Sequence, residues 1–429
     1  MQTVAVIGTG IAGLACAYML RNNVELTIFE QNDYIGGHTN TIHVEEQGKT
    51  IAIDTGFMVH NEVTYPYLTR LFKELKIKSK PTDMSFSVRN MALRLEWSGT
   101  GFDRLFGQRR NIFNLRFWKM LLELDRFNKV ALASLSDNSI AEYTLKEFIA
   151  KEKFSDDMVN LYLLPMMSAL WSAPPVTMLA FPASVLIRFM FTHGLLSMYG
   201  KLQWLTVCDG AISYVDAMTQ SFRDKIQLNT KVVSVKRALN GKILIERHDG
   251  TVQEFDQCIL ACHGDQSFQI LNEEFIEERH ILAKFKYQAN TILVHTDESV
   301  MPNCKINWAS WNYVIDKPGT STPTTTHYWM NSLQQVSDRC NYFVSLNAEA
   351  MIKPEKVLRR IQYDHPIFTV AAMNAQKDLK IMNQTKGRNL FLCGSYFGHG
   401  FHEDALASSV DVVNLIKGVV HEQPDLMFV

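Results

Sequence analysis

Near its beginning the chain reads Val4-Ala-Val-Ile-Gly8-Thr-Gly10-Ile-Ala-Gly13-Leu-Ala-Cys-Ala-Tyr-Met-Leu20. The apolar run predicts a strand, the three glycines predict a tight turn, and the small residues that follow predict a helix. Gly8 permits the turn, Gly10 lets backbone N–H groups approach a pyrophosphate, and Gly13 lets the helix pack closely on the strand. The helix N-terminus adds a positive dipole that attracts the same anion. We therefore predict a dinucleotide-binding strand, turn and helix.

A second apolar run, from Val24 to Phe29, predicts the next strand and ends in an acidic residue, Glu30. A carboxylate at this position accepts hydrogen bonds from an adenosine ribose, whereas an arginine would favour a 2′-phosphate. The glycine pair Gly36-Gly37 follows at a short distance. NAD enzymes do not need this second pair, whereas one large group of FAD enzymes runs its pyrophosphate past such a turn. The pair therefore points to FAD.

The composition excludes several classes of protein. The 429 residues are 47% hydrophobic with a mean hydropathy of −0.07, which suits a globular chain with room for two domains. The formal net charge is −1 and no long Lys/Arg block occurs, so we expect no nucleic-acid partner. Seven scattered cysteines without a C-x-x-C pair argue against a disulfide framework or a metal site. The apolar N-terminus lacks a preceding basic segment, so we expect a cytoplasmic protein.

At Glu30-Gln-Asn-Asp-Tyr-Ile-Gly36-Gly37-His38-Thr39 the sequence resembles the flavin-containing amine oxidase superfamily, with its relatives phytoene desaturase and protoporphyrinogen oxidase. Four further stretches are similar to a bacterial NAD/FAD-binding branch and to the oxidase-like portion of plant cyclopropane fatty acid synthases. These stretches are residues 164–172, 308–313, 327–334 and 398–404. The resemblance implies an FAD cofactor. We expect it to be non-covalent, because no Cys or His lies in a recognised flavin-linkage motif.

The resemblance also implies an α/β fold in which a Rossmann-type FAD-binding domain interleaves with an amine oxidase-like substrate domain of mixed sheet plus a helical subdomain. We expect the FAD-binding domain to comprise residues 1–60, 205–265 and 387–420. The substrate domain then comprises residues 61–204 and 266–386, with a helical insertion over residues 64–204.

The insertion is predicted from periodic apolar residues. Its helices are expected over residues 66–75, 115–133, 139–150, 156–171 and 181–192. Pro165 lies inside an apolar segment and predicts a break or kink there. After the insertion, strands expected at the floor of the substrate pocket cover residues 287–296, 307–315, 324–330 and 342–346.

Cofactor contacts are implied at the two glycine turns, the hairpin after them, the middle strands and a Gly-rich turn that opens the last helix. The residues are Gly8, Gly10, Ile11, Ala12, Gly13, Glu30, Gln31, Gly36, Gly37, His38, Thr39, Thr55, Gly56, Phe57, Val233, Ala261, Gly394, Ser395, Gly400, Phe401, His402, Glu403 and Ala405. The last helix would point its N–H groups at the flavin, where the reduced state accumulates negative charge. His38 and Ser395 depart from the superfamily, which commonly has Arg and Asp at these positions.

Candidate catalytic residues also follow from the resemblance. Amine oxidases hold a water at the flavin with a lysine of the substrate sheet, and Lys284 and Lys286 are the nearest candidates. His399 and His402 are candidates for acid or base work, because imidazole titrates near neutrality. A solvated loop position for the lysines and helix capping for the histidines remain alternatives. The rings expected to flank the substrate are Trp171, Trp308, Trp311, Tyr313 and Tyr328.

We expect a flavin-dependent oxidoreductase that removes hydride from an apolar, fatty-acyl or lipid-like substrate. The lipid class rests on the apolar helices and on the resemblance to the cyclopropane synthase fusions. Three alternatives stay open: an amine or polyamine oxidase, which needs carboxylates near the aromatic rings, a flavin-dependent double-bond isomerase, and a flavin-binding protein without turnover. The expected partners are a small-molecule or lipid substrate and, transiently, a membrane surface.

Overall fold

The computed structural model describes residues 1–136, 140, 143–196, 202–316 and 325–418. The described strands are β1 (Thr3–Ile7), β2 (Glu25–Phe29), β3 (Thr41–Glu46), β4 (Lys49–Asp54), β5 (Ser79–Pro81), β6 (Phe86–Asn90), β7 (Leu95–Ser98), β8 (Leu205–Val207), β9 (Ile226–Gln227), β10 (Val232–Arg237), β11 (Ile243–Arg247), β12 (Val252–Phe255), β13 (Gln257–Leu260), β14 (Lys286–His295), β15 (Trp311–Ile315), β16 (Thr325–Trp329), β17 (Phe343–Leu346), β18 (Val357–Ile367) and β19 (Leu390–Leu392). The described α-helices are α1 (Ile11–Leu20), α2 (Pro66–Leu75), α3 (Gly101–Leu105), α4 (Leu115–Ser134), α5 (Leu145–Glu152), α6 (Asp156–Met158), α7 (Leu164–Trp171), α8 (Pro175–Leu179), α9 (Ala183–Thr192), α10 (Ile212–Thr219), α11 (Gly264–Ile270), α12 (Ile276–Leu282), α13 (Met330–Leu333), α14 (Val370–Asn383) and α15 (His402–Lys417).

Five parallel strands form the sheet that carries the first glycine turn. Their order is β19-β13-β1-β2-β9, so β1 pairs with β13 from the middle of the chain, and β13 pairs with β19 from its end. Val4, Ala5 and Val6 are fully buried, because other elements cover both faces of this sheet. The predicted Rossmann-type arrangement is confirmed. All three predicted segments of the FAD-binding domain supply strands, although residues 419 and 420 lie outside the described part.

A seven-stranded sheet forms the second layer, in the order β18-β14-β17-β16-β15-β6-β7. The four predicted strands of the pocket floor are among its members, although Thr324, the predicted start of one, lies outside the described residues. The helical insertion also contains strands that the sequence analysis did not predict, among them β6 and β7 of this sheet. The longest strand, β18, was not predicted: residues 361–367 alternate between the two faces of this edge strand, but its basic first half and Pro366 weaken the pattern expected of a strand.

The helices of the insertion pack on the end of the sheet formed by β15, β6 and β7. Between α6 and α7 the chain makes a π-helical turn, Val159–Leu163. Pro165 has no N–H and crowds the carbonyl four residues before it, so the preceding turn widens. The break or kink predicted at Pro165 therefore takes the form of a π-helical turn within a continuous helical segment. Ser139, the predicted start of another helix, lies outside the described residues. Within them, the corresponding helix, α5, begins at Leu145.

On the face of the sheet opposite the insertion, two buried histidines share one serine. Nε2 of His295 and Nδ1 of His327 each lie 2.7 Å from Oγ of Ser345. The N–H of Asp297 donates to Nδ1 of His295, so His295 donates through Nε2 and Ser345 donates to His327. Both imidazoles are neutral in this arrangement. Burial lowers the pKa of His295 to about 4 and that of His327 to about 3.

These two histidines predict a loss of stability in acid. The unfolded chain takes up protons below a pH of about 6.5, whereas the folded chain does not until the pH approaches the lowered pKa values. The free energy of unfolding should therefore fall as the pH falls from about 6.5 towards 4, by up to about 1.4 kcal/mol per pH unit for each histidine. Urea unfolding at several pH values measures this slope.

The variant His327→Asn should have a shallower slope than the parent over the same pH window, because one proton-binding group is gone. The exposed His248 provides the control, since His248→Asn should leave the slope unchanged. Equal slopes in the parent and His327→Asn would show that His327 does not titrate on unfolding.

Candidate functional site

The first glycine turn leaves little room for side chains on its inner side. A Cβ on Gly13 would lie 1.9 Å from the carbonyl oxygen of Gly8, and Gly8 has a φ of +104°. Gly10 differs, because a Cβ there would meet no atom within 4 Å. Gly10 also precedes α1, whose first N–H groups, on Ile11, Ala12 and Gly13, have no acceptor within the helix. The turn therefore offers open space edged by backbone donors, as an anion requires.

Glu30 holds this turn from the end of β2. Its buried carboxylate accepts hydrogen bonds from the N–H and the hydroxyl of Thr9, at 2.9 and 2.6 Å, through Oε2. Oε1 accepts from the N–H of Asn32 at 2.9 Å. Because a carboxylate has about four lone-pair positions, capacity remains for a ribose hydroxyl. Two other predicted cofactor contacts, Gln31 and Val233, are exposed.

The second glycine turn closes against the first. A Cβ on Gly37 would lie 3.1 Å from Cα of Gly10, and Gly36 has a φ of +121°. A Cβ on Gly56 would lie 2.2 Å from the carbonyl oxygen of His38. Three backbone segments therefore touch at positions where only glycine fits. We call this group of turns the cradle; it comprises residues 8–13, 36–39 and 55–57.

The last helix is joined to the cradle at Thr39. Its Oγ1 lies 2.5 Å from the Tyr214 hydroxyl and 3.0 Å from Nε2 of His402. The same nitrogen lies 3.0 Å from the Tyr214 hydroxyl, and the His402 ring stacks on Phe57 at 4.0 Å. Burial lowers the pKa of His402 to about 3. His402 thus joins α10, α15 and the cradle as a neutral ring, and its acid or base role stays a prediction.

The turn that opens α15 is held by Asp404. Its carboxylate accepts from the N–H groups of His399 and Phe401 at 3.0 and 2.9 Å. The Glu403 carboxylate instead accepts from the first two free N–H groups of α2, and burial raises its pKa to about 7. The other cofactor residues predicted here lie between the end of β19 and the first turn of α15: Gly394, Ser395, Gly400 and Ala405.

Three histidines from distant parts of the chain meet beside the second glycine turn. The ring centroids of His263 and His365 lie 5.6 and 5.4 Å from that of His38, and the Tyr363 ring lies 4.6 Å from it. The amide of Asn290 lies 2.8 Å from Nδ1 of His365. Within the described part of the chain, Nε2 of His38 and Nδ1 of His263 are buried without a hydrogen-bond partner. Such unpaired nitrogens beside an open cradle suit a bound polar group.

This histidine group is uncharged near neutral pH. Burial lowers the pKa of His38 and His365 to about 3 and that of His263 to about 4, and each ring disfavours a charge on its neighbour. Of these three histidines, the sequence analysis assigned only His38 to the cofactor site. His263 follows a predicted strand and lies two residues after the predicted cofactor contact Ala261. This position in the sequence could have placed His263 at the cofactor site. His365 lies on the unpredicted β18 and gave no signal.

Three of the predicted substrate rings share one face of the seven-stranded sheet. Trp311 pairs with Tyr328 and contacts it edge-on at 4.8 Å, and Tyr313 follows two residues along β15. Trp311 packs against two apolar clusters, one formed with the helical insertion and one formed with the β3–β4 hairpin. Its Nε1 is buried and has no partner in the described residues. Trp171 at the end of α7 donates from Nε1 to the carbonyl oxygen of His399 at 3.0 Å, which ties this helix to the last turn.

Trp308 does not belong with these rings. It precedes β15 and packs edge-on against Trp329 at 5.4 Å, beside Phe343. Both neighbours alternate onto the opposite face of the sheet from Trp311. The structure therefore corrects the grouping of Trp308 with the substrate rings.

The two candidate lysines lie near the start of β14. Nζ of Lys284 is 3.7 Å from the carboxylate of Asp378 on α14, and Lys286 is exposed. Further along the strand, Gln288 and Asn290 carry the polar groups of the inner face. Gln288 donates to the carbonyl oxygen of Ser172 at 2.6 Å. These contacts favour the solvated alternative for both lysines, and their catalytic role stays a prediction.

The residues present fit the flavin nucleotide implied by the sequence. The donors at the start of α1 and the open space at Gly10 suit a pyrophosphate, and Glu30 suits a ribose. The unpaired nitrogens of His38 and His263 lie next to this path. A bound flavin supplies a hydride acceptor, while the protein orients the reactants and excludes water.

Comparisons with known proteins agree with this geometry. A sequence model of the family described as flavin containing amine oxidoreductase matches residues 11–417. No curated protein matches the chain by sequence. Cyclohexylamine oxidase from Brevibacterium oxydans IH-35A has a similar structure, with a TM-score of 0.68 at 15% identity over 97% of this chain and 99% of that chain.

Two further structures show the same fold. A fatty acid isomerase from P. acnes that produces CLA gives a TM-score of 0.67 at 14% identity over 96% of this chain and 98% of that chain. Wild-type putrescine oxidase bound to putrescine gives 0.66 at 14% identity over 97% and 99%. At such identities the likeness concerns the fold, whereas the family model spans nearly the whole chain. The chain belongs to the flavin containing amine oxidoreductase family and is a flavin-dependent oxidoreductase.

Proposed function

We propose that the protein binds FAD non-covalently in the cradle and removes hydride from an apolar, fatty-acyl or lipid-like substrate. One observation carries the proposal of substrate class. One face of the seven-stranded sheet, the inner face, packs against the helical insertion and the β3–β4 hairpin. On this face, the described strands carry no Asp or Glu side chain. The middle of this face is made of Trp311, Tyr313, Tyr328 and aliphatic residues.

This composition disfavours a diamine. An ammonium group taken out of water needs a carboxylate or several oxygen acceptors, because an unpaired buried charge costs several kcal/mol. The inner face offers rings, aliphatic groups and uncharged amides in that place. An alkyl chain gains free energy from the same surface, through burial of its methylene groups.

The roof of this surface is also apolar. Helices α7 and α9 and the side chains of Phe368 and Phe401 pack in one cluster with Tyr313. Phe401 stacks on Phe189 of α9 at 5.0 Å, and Trp171 lies 6.0 Å from Phe401. The last turn before α15 is therefore continuous with the apolar roof. This continuity supports a channel that leads an acyl chain towards the cofactor.

The polar end of the proposed site is uncharged. Asn290 is buried, accepts from the amide of Asn347 at 2.8 Å and lies beside His365. His365 and His263 are neutral imidazoles that can hydrogen-bond a polar group of the substrate, and their lowered pKa values disfavour uptake of a proton near neutral pH. We propose this pair, rather than Lys284 or Lys286, as the groups that assist the reaction.

The substrate class can be tested by binding alone. Fatty acids of increasing chain length and diamines of increasing length are titrated into the flavin-loaded protein, and the flavin absorbance is followed. Affinity for the acids should rise with each methylene, by up to about 0.8 kcal/mol when the group is fully buried. Diamines should show no such trend. Saturable binding of diamines without a response to acids would assign the protein to the amine oxidases instead.

Two tryptophan variants locate the site. Trp311→Ala should weaken binding of a long-chain acid about tenfold, since a large ring surface is lost from the inner face. Trp308→Ala makes the same change on the opposite face and should leave the affinity within about twofold. Equal effects of the two variants would contradict the proposed position of the chain.

The cradle is tested by Gly10→Val. Gly10 has a φ of −63°, and its Cβ direction is open, so valine fits the folded chain without backbone strain. The added methyl groups would fill the space assigned to the pyrophosphate, and we expect the variant to purify folded but without flavin. Gly99→Val, which adds the same groups at a position away from the cradle, should keep its flavin. A yellow Gly10→Val protein would refute the assignment.

Acid precipitation tests the attachment of the cofactor. Non-covalent FAD should appear in the supernatant when the protein denatures, with the mass of the free dinucleotide. Flavin that stays with the precipitated chain would show a covalent link, for which Cys393 at the end of β19 would be the first residue to examine.

A further inference from the structure

The helical insertion carries a lobe whose large apolar side chains face solvent. Phe113 and Leu115 are 87% and 84% exposed, and Phe102 and Leu122 are 73% and 71% exposed. Single exposed apolar residues are common on protein surfaces, but such a concentration within 21 residues marks an interaction site. We call residues 101–122 the basic lobe, for the charges described next.

The charge of the basic lobe differs from that of the chain. It holds five basic residues, Arg104, Arg109, Arg110, Arg116 and Lys119, and one acidic residue, Asp103, in a chain of net charge −1. Arg110 and Arg116 line a surface groove of about 500 Å³ together with Arg94, Phe113 and Leu115. Guanidinium groups and apolar tips therefore occupy the same surface.

The lobe is a built structure rather than a loose loop. Phe106 and Phe117 anchor it in the core of the insertion, and the Phe106 ring lies 4.9 Å from that of Trp118. Nε1 of Trp118 donates to the carbonyl oxygen of Ile112 at 2.8 Å, which holds the turn before α4. The exposed side chains are thus presented by a packed scaffold.

We propose that the basic lobe docks the protein on an anionic phospholipid bilayer. Phenylalanine and leucine tips enter the boundary of the acyl chains, while Arg104, Arg110 and Lys119 meet phosphate oxygens. Arg109 and Arg116 are already paired with Asp103 and Asp157. On α4, Leu115, Lys119 and Leu122 follow at helical spacing and share one side, as on a helix lying in a membrane interface. No helix in the described ranges is long and apolar enough to cross a membrane.

Charge distinguishes this partner from the alternatives. A symmetric contact between two copies would place the same net positive surface against itself, which opposes association. A nucleic acid would use the arginines but leave the apolar tips in water. An anionic bilayer satisfies both features. The proposal does not depend on the identity of the substrate, because it concerns the outer surface of the insertion.

The test uses full-length, flavin-loaded protein and flotation with vesicles. One set of vesicles contains equal amounts of phosphatidylglycerol and phosphatidylcholine, and the other contains phosphatidylcholine alone. The protein should bind the anionic vesicles at least about tenfold more tightly, and added salt should weaken that binding. The double variant Phe113→Asp/Leu115→Asp should lose at least about tenfold of the affinity.

The matched control places the same charges on apolar residues outside the lobe, through Leu239→Asp/Ile276→Asp. Both side chains are highly exposed, and binding should stay within about twofold of the parent. Thermal melting and flavin content check that each variant is folded. A second pair, Arg104→Gln/Lys119→Gln, should reduce the preference for anionic over neutral vesicles.

Three outcomes would overturn the proposal. The first is absence of vesicle binding by the parent protein. The second is an equal loss of binding in the lobe variant and the control variant. The third is a concentration-dependent dimer that the lobe variant abolishes, since that result would assign the surface to a second copy of the chain. Loss of fatty-acid binding alone would leave the membrane contact standing, so the two proposals fail separately.

Discussion

Close contact between glycine backbones is the constraint on which the rest of the structure depends. Gly13 lies against Gly8 at a separation that no side chain permits, and Gly37, with a φ of +59°, packs closely against Gly10. These contacts bring the turn after β1 and the turn after β2 together as one surface of backbone donors. The position of His38 and the link from Thr39 to His402 follow from them. A side chain at Gly13 or Gly56 would therefore displace the neighbouring backbone, whereas the open Cβ side of Gly10 lets a side chain block the cofactor without disturbing the fold.

The seven-stranded sheet supplies the second constraint, through its register. Side chains alternate between two faces, so pairing of β15 with β16 brings Trp311 and Tyr328 together and leaves Trp308 and Trp329 behind the sheet. The same alternation separates His365, on the face of Gln288 and Asn290, from the His295–Ser345–His327 arrangement. A shift by one residue would exchange the two sets, and burial of both faces prevents that shift.

Electrostatics divides the molecule into an uncharged interior site and a positively charged lobe. Burial keeps His38, His263 and His365 neutral, so these rings place hydrogen-bonding groups rather than positive charge beside the cradle. In the basic lobe, Arg109 and Arg116 are paired with Asp103 and Asp157, whereas Arg104, Arg110 and Lys119 have no carboxylate partner in the described part of the chain. Apolar packing between the two regions separates their charges.

The sequence by itself determined the cofactor half of the protein: three glycines, a strand and Glu30 are local features, and local spacing is enough to predict them. It also determined the kink at Pro165, since proline lacks a donor wherever it lies in a helix. Tertiary structure decided three other features. It brought His38, His263 and His365 together, it placed Trp308 on the opposite face from the other substrate rings, and it set β18 at the edge of the seven-stranded sheet. Those features depend on strand pairing between residues far apart in the chain, and pairing is selected by the burial of whole faces rather than by any local pattern.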